Sequence, residues 1–133
     1  MLFRSIESSV NHAAGRKVAV AHQVEIEPAS RLAEIVGLEK IPANSSHHQS
    51  AQIIGDGLKI VAQCPEDGII EGLEGTEPDH FVLAVQWHPE RSFDEDETSR
   101  AIFGALVEAV REKHREGDAG FSANRVCKTS GKH

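Results

Sequence analysis

Over residues 17–27 apolar and polar positions alternate, with Val18, Val20, Val24 and Ile26 on one parity. That is the two-residue period of a half-buried strand. From Pro28 the period changes: Leu32, Ile35 and Val36 fall at helical spacing and the run stops at Gly37, a residue suited to a helix C-terminus. The segment NSSHHQ, residues 44–49, has no period and reads as a loop, and residues 51–55 read as one helical turn ended by glycine. Residues 58–63 and 69–73 are short apolar strands separated by CPEDG, in which Pro and Asp-Gly favour a tight reversal; together they predict a hairpin. The nearly continuous apolar run FVLAVQW, residues 81–87, predicts a strand covered on both faces in a parallel sheet. Residues 96–112 place Ile102, Phe103, Leu106 and Val110 on one face of an amphipathic helix, with Asp96 or Thr98 available as its cap.

Strands mixed with helices give an α/β class. Beyond His114 periodicity is lost and Gly, Ser, Asn and Lys take over, so one domain over residues 1–114 and a disordered tail over 115–133 are expected. A chain of 133 residues with 39% hydrophobic and 26% charged residues is ordinary globular material. Its net charge of -7 argues against nucleic acid as a partner, because phosphate backbones need a clustered basic surface. No stretch approaches the roughly 18 apolar residues of a spanning helix and the N-terminus lacks a signal-peptide pattern, which predicts no membrane association and a cytoplasmic location. Cys64 and Cys127 lie in unlike settings, an apolar strand end and a polar tail, so both are expected to be reduced thiols.

The strongest chemical signal is QWHPE, residues 86–90, directly after the apolar run. Side chains two apart on extended chain project to one side, so His88 and Glu90 can meet, and Pro89 restricts the backbone between them. A carboxylate beside an imidazole selects its tautomer and stabilises its charged form, as a general base requires. This motif resembles the signature of class I glutamine amidotransferase-like domains. HQVEIE (residues 22–27), NSSHHQ, GLKIVA (57–62) and the segment 65–71 are similar to the gamma-glutamyl-gamma-aminobutyrate hydrolase branch of that superfamily, and the likeness covers roughly residues 2–113.

The resemblance implies a partial three-layer αβα, flavodoxin-like fold with an added β-hairpin, corresponding to the C-terminal half of such a hydrolase domain. It implies hydrolysis of gamma-glutamyl amides by a Cys-His-Glu triad, with His88 as base and Glu90 orienting it, a small gamma-glutamyl substrate, and no cofactor. Ser45, His47 and Gln49 would lie near the substrate; the same side chains would equally serve to satisfy neighbouring backbone groups. His47, His48 and His88 as metal ligands are disfavoured, since adjacent histidines point apart on an extended chain, and no metal is expected.

The nucleophile of that family lies in a Gly-x-Cys-x-Gly-like turn, and no such segment occurs in these 133 residues. Cys64 lacks a glycine-flanked turn to activate it and reads as a small apolar side chain. Glu66 adds a residue to the hairpin turn, and Ala84 stands where relatives often carry Gly. The chain is therefore expected to be inactive alone, with an uncovered apolar surface that favours self-association or a partner bearing the first half. One subunit of a split amidotransferase and a non-catalytic binding module are the alternative readings.

Overall fold

The computed structural model describes residues 1–7, 10–15, 17–18 and 20–126. Among these residues seven strands and two helices follow in the order β1 (Leu2–Ser5), β2 (His22–Ile26), α1 (Arg31–Val36), β3 (Lys40–Ala43), β4 (Gln49–Ile53), β5 (Leu58–Gln63), β6 (Ile70–Gly75), β7 (Leu83–Val85) and α2 (Glu97–Val126), with a 3-10 turn at Pro89–Arg91. A five-stranded sheet runs β3-β2-β5-β6-β7, and β1 with β4 forms a separate two-stranded ribbon. Every pairing is antiparallel.

The alternation in β2 puts His22, Val24 and Ile26 inward and Gln23 and Glu25 outward. Helix α1 begins where Ser30 Oγ accepts the Ala33 N–H at 3.0 Å and ends at Gly37, whose φ of 70° lets its own N–H reach the Ala33 carbonyl. Glu74 of β6 adds a second cap, its two carboxylate oxygens accepting the Arg31 and Leu32 N–H groups at 3.2 Å each. Burial works against that carboxylate's charge, but Lys59 Nζ at 2.9 Å and the two amides outweigh it and hold the group below its ordinary 4.5.

Leu32 projects from α1 into a core formed with Val24, Ile26, Ile41, Ala43, Val61, Ala62, Trp87 and Ile102. Full burial of such a leucine contributes about 1.5–3 kcal/mol. At the crossing of β5 and β6 a methyl group on Gly72 would lie 2.8 Å from the Ala62 Cβ, so these strands approach closely only because residue 72 has no side chain.

The expected hairpin of residues 58–73 is present as β5 and β6. Four expectations are corrected. The first strand starts at His22 rather than Lys17, and Val18 and Val20 stay 38% and 52% exposed. Residues 51–55 are no helical turn: Ala51 to Ile53 belong to β4, because Phe3 and Leu2 of β1 pair with Ala51 and Ile53 and distant backbone partners override the local signal. Of FVLAVQW only residues 83–85 are strand, antiparallel to β6 at the sheet's edge and half-exposed, and Trp87 is the one residue of the run that is fully buried. Helix α2 starts where expected, with Asp96 accepting the Thr98 and Ser99 N–H groups at 3.2 and 3.0 Å, but it runs past residue 112 to Val126. Its outer turns carry ion pairs such as Arg115–Glu108 at 2.9 Å in place of apolar burial. Residues 127–133, with Cys127, lie outside the described residues.

Candidate functional site

After β7 the chain buries Trp87 and turns at once into the 3-10 turn, with His88 at its start (φ -112°, ψ 82°). Within that turn His88 Nδ1 lies 2.7 Å from Glu90 Oε1. The sequence expected this contact from an extended chain; a single turn of tight helix makes it instead. A carboxylate only accepts, so Nδ1 carries a proton and, in the neutral ring, Nε2 is left with a lone pair directed away from Glu90. Burial is the largest single influence on Glu90 and opposes its charge, but its own backbone N–H, His88 and Arg91 together outweigh it and set the carboxyl below its ordinary 4.5. The side chains are 34% and 58% exposed, so Nε2 is available to a reacting group brought against this rim.

The backbone of His88 is held at two points by Asn44: its N–H donates to Asn44 Oδ1 and its carbonyl accepts from Asn44 Nδ2, both at 2.9 Å. This clamp ties the sheet edge to the NSSHHQ loop. Ser45, one expected substrate contact, is wholly buried, and its hydroxyl donates to the His12 carbonyl. His47 Nδ1 donates to the Gln49 carbonyl at 3.0 Å, and that same carbonyl accepts from Gln86 Nε2 at 3.2 Å. Ser45 and His47 thus do what the backbone-satisfying reading of this loop describes. The Gln49 side chain and His48 are exposed.

Cys64 sits at the mouth of the β5–β6 turn, its N–H donating to the Ile69 carbonyl and its own carbonyl accepting the Gly68 N–H, both at 2.9 Å. Burial pushes its thiol up, the opposite of what an activated nucleophile needs.

A second grouping went unnoticed in the sequence. His47 turns Nε2 toward Glu71 Oε1 (3.6 Å), and His12 Nδ1 and His22 Nε2 approach the same oxygen at 3.1 and 3.2 Å. All four donor atoms are buried. Two signals pointed there: His22 shares the inward parity of β2 with Val24 and Ile26, and Glu71 lies within IEGLEG, where apolar residues flank it in a central strand.

With the fold and both groupings in view, the comparisons with known proteins fix the class. The chain has the class I glutamine amidotransferase-like fold: 73% of it matches 46% of a crystal structure of a "putative gmp synthase subunit a protein" from Thermoplasma acidophilum, at a TM-score of 0.59 and 16% identity. More narrowly, it belongs to the Peptidase C26 family, whose profile matches residues 1–90. It is 43% identical over 99 residues to the "Putative glutamine amidotransferase Rv2859c" of Mycobacterium tuberculosis, covering 74% of this chain and 30% of that one. It is 30% identical over 105 residues to the gamma-glutamyl-gamma-aminobutyrate hydrolase of Escherichia coli, covering 75% of this chain and 41% of the relative. The chain thus spans well under half the length of these curated relatives. Among the described residues no helix is long and apolar enough to cross a membrane.

Proposed function

We propose that this chain supplies the general base and its orienting carboxylate to a hydrolase of gamma-glutamyl amides that works through a Cys-His-Glu triad, with the thiol provided from outside these 133 residues. The observation that carries the reading is the 2.7 Å contact of His88 Nδ1 with Glu90 Oε1, which leaves Nε2 free to take a proton. The name of the Escherichia coli relative supports the substrate class. The exposed apolar side chains of the β1–β4 ribbon, Leu2, Phe3 and Ile53 at 57%, 64% and 56%, support a covering segment or partner.

In this reading His88 Nε2 takes the thiol proton and the thiolate attacks the gamma-carbonyl of the substrate. As the tetrahedral intermediate collapses, His88 returns the proton to the departing amine, leaving a gamma-glutamyl thioester. His88 then removes a proton from water, the hydroxide displaces the thiol, and glutamate leaves. Glu90 stabilises the imidazolium at each stage. His88 and Glu90 act here as catalytic groups, and Asn44 positions the first of them.

Glutamate release from gamma-glutamyl amides is the test, with the purified chain alone and mixed with a polypeptide carrying a Gly-x-Cys-x-Gly segment. Turnover is expected only in the mixture, and His88→Ala lowers it by ~10²–10⁴-fold. Turnover by the chain alone, a mixture indifferent to His88→Ala, or tight binding of such amides with no turnover in any mixture each overturns the reading.

A further inference from the structure

Strand β6 buries two glutamates and surrounds them differently. Glu74 meets an ammonium group and two helix amides. Glu71 is wholly buried, yet neither of its carboxylate oxygens makes a hydrogen bond. What faces Oε1 is three imidazole nitrogens, His12 Nδ1, His22 Nε2 and His47 Nε2, each of them buried and each without hydrogen-bond geometry to a partner.

The far nitrogen of each ring explains the arrangement. His12 Nε2 meets Asp67 Oδ2 at 2.8 Å, His22 Nδ1 meets the Gln23 carbonyl at 3.1 Å, and His47 Nδ1 meets the Gln49 carbonyl at 3.0 Å. These oxygens only accept, so each ring carries its N–H on the outer side and, when neutral, turns a lone pair inward. Three lone pairs and a carboxylate converging out of reach of water repel one another unless a cation lies between them.

We propose that His12 Nδ1, His22 Nε2, His47 Nε2 and Glu71 Oε1 form a binding site for a divalent transition-metal cation of the zinc type. Metal–ligand bonds of about 2.0–2.1 Å arranged tetrahedrally separate neighbouring ligand atoms by roughly 3.3 Å. Glu71 Oε1 stands 3.1, 3.2 and 3.6 Å from the three nitrogens, and all four atoms lie within 4.8 Å of one another. Three imidazoles and one carboxylate suit zinc rather than magnesium or calcium, which prefer oxygen throughout. Asp67 behind His12, with the Gln23 and Gln49 carbonyls behind the other two rings, supplies the outer oxygens that hold ligating histidines in one tautomer.

Four protein ligands in a buried, closed set make the site structural rather than catalytic. The ion reaches it through the cleft that His12, His47 and His48 line with Ile6 and Asn11. Bound there, it fastens the segment around His12 and the NSSHHQ loop to β2 and β6. The same loop holds the backbone of His88 through Asn44, but the metal site does not depend on the hydrolase reading.

The test uses the full chain, stripped with a chelator and titrated with zinc against a chromophoric competitor, with cobalt(II) as a spectroscopic substitute and circular dichroism to report folding. One equivalent is expected to bind, the melting midpoint to rise, and cobalt(II) to show the intense visible bands of a tetrahedral centre. Asp67→Asn weakens binding by ~10–100-fold, His22→Ala and Glu71→Gln weaken it by more, and His114→Ala, on the exposed face of α2, leaves it unchanged. Should the strand variants not fold, His47→Gln, in a loop, reads the same loss. A folded stripped chain that takes up neither metal, an unfolded one that neither metal refolds, or His47→Gln binding like the parent chain overturns the proposal.

Discussion

His88 and Glu90 sit two positions apart, share a 2.7 Å contact and remain 34% and 58% exposed on the rim of the sheet. His12, His22, His47 and Glu71 come from residue 12 to residue 71, meet in the interior, and make no hydrogen bond to one another. Both groupings set imidazole against carboxylate, but burial separates what they can do. At the rim the imidazole keeps a nitrogen open to a reacting group, and the solvent around it makes the pair a minor contributor to stability. In the interior no reactant has access, and each charge or lone pair bears directly on whether the chain folds.

Exchanging the lesions between the two groupings gives the largest expected effects. In the thiol-completed enzyme, His88→Ala should lower kcat/KM by ~10²–10⁴-fold, the range for losing a general base, with folding stability unchanged within about 0.5 kcal/mol. Glu71→Ala should do the reverse to the zinc-loaded chain: the buried cation loses the carboxylate that faces it, at a cost of about 3–5 kcal/mol, a large share of the stability of a small domain. Denaturant midpoints and steady-state kinetics on both variants check this. A His88→Ala chain that unfolds, or a Glu71→Ala chain as stable as its parent, would break the comparison.

Asn44 joins the two regions, and its removal sharpens the contrast. The amide is buried and makes two 2.9 Å bonds to the backbone of His88. Asn44→Ala leaves that N–H and carbonyl without their partner, at about 1–3 kcal/mol, and lets the imidazole drift from its working position. The expected signature is mixed, a lower urea midpoint together with a fall in kcat larger than the change in KM. Asn44→Asp keeps the acceptor for the His88 N–H and should recover part of both losses.

The rim pair was legible because its two members are neighbours in the chain: QWHPE names the residues, and one turn of backbone brings them together. The same holds for α1, whose Ser30 and Gly37 caps are local signals. The interior cluster was not legible, because it depends on β2 and β6 sharing a sheet through β5 and on the chain around residue 12 lying against both. Local pattern also misread residues 51–55 and 81–87, where pairing with β1 and a place at the sheet's edge decided the outcome. His47 was noticed, but as a loop residue near substrate; that its ring turns inward to Glu71 depends on a strand 24 positions later in the chain.

The smallest expected effects come from two carboxyls whose affinity for protons is lowered by folding, one buried and one exposed. Glu74 has a folded value below its ordinary 4.5, so the stability it contributes is present above that pH and is lost as pH falls through the folded value. Glu74→Gln should therefore be less stable than the parent at neutral pH by about 1 kcal/mol, the scale of a charge at a helix N-terminus, and the gap should close as the pH drops below 4.5. Glu90 is shifted the same way and so has the same sign. Its side chain is 58% exposed, however, and solvent screens the contact that lowers it. Glu90→Gln should accordingly leave the urea midpoint nearly flat across the same pH series while still slowing hydrolysis in the completed enzyme. If the pH-dependent gap for Glu90→Gln exceeded that for Glu74→Gln, exposure would not be what divides the rim from the interior, and the rim pair would have to be counted among the elements that hold the fold together.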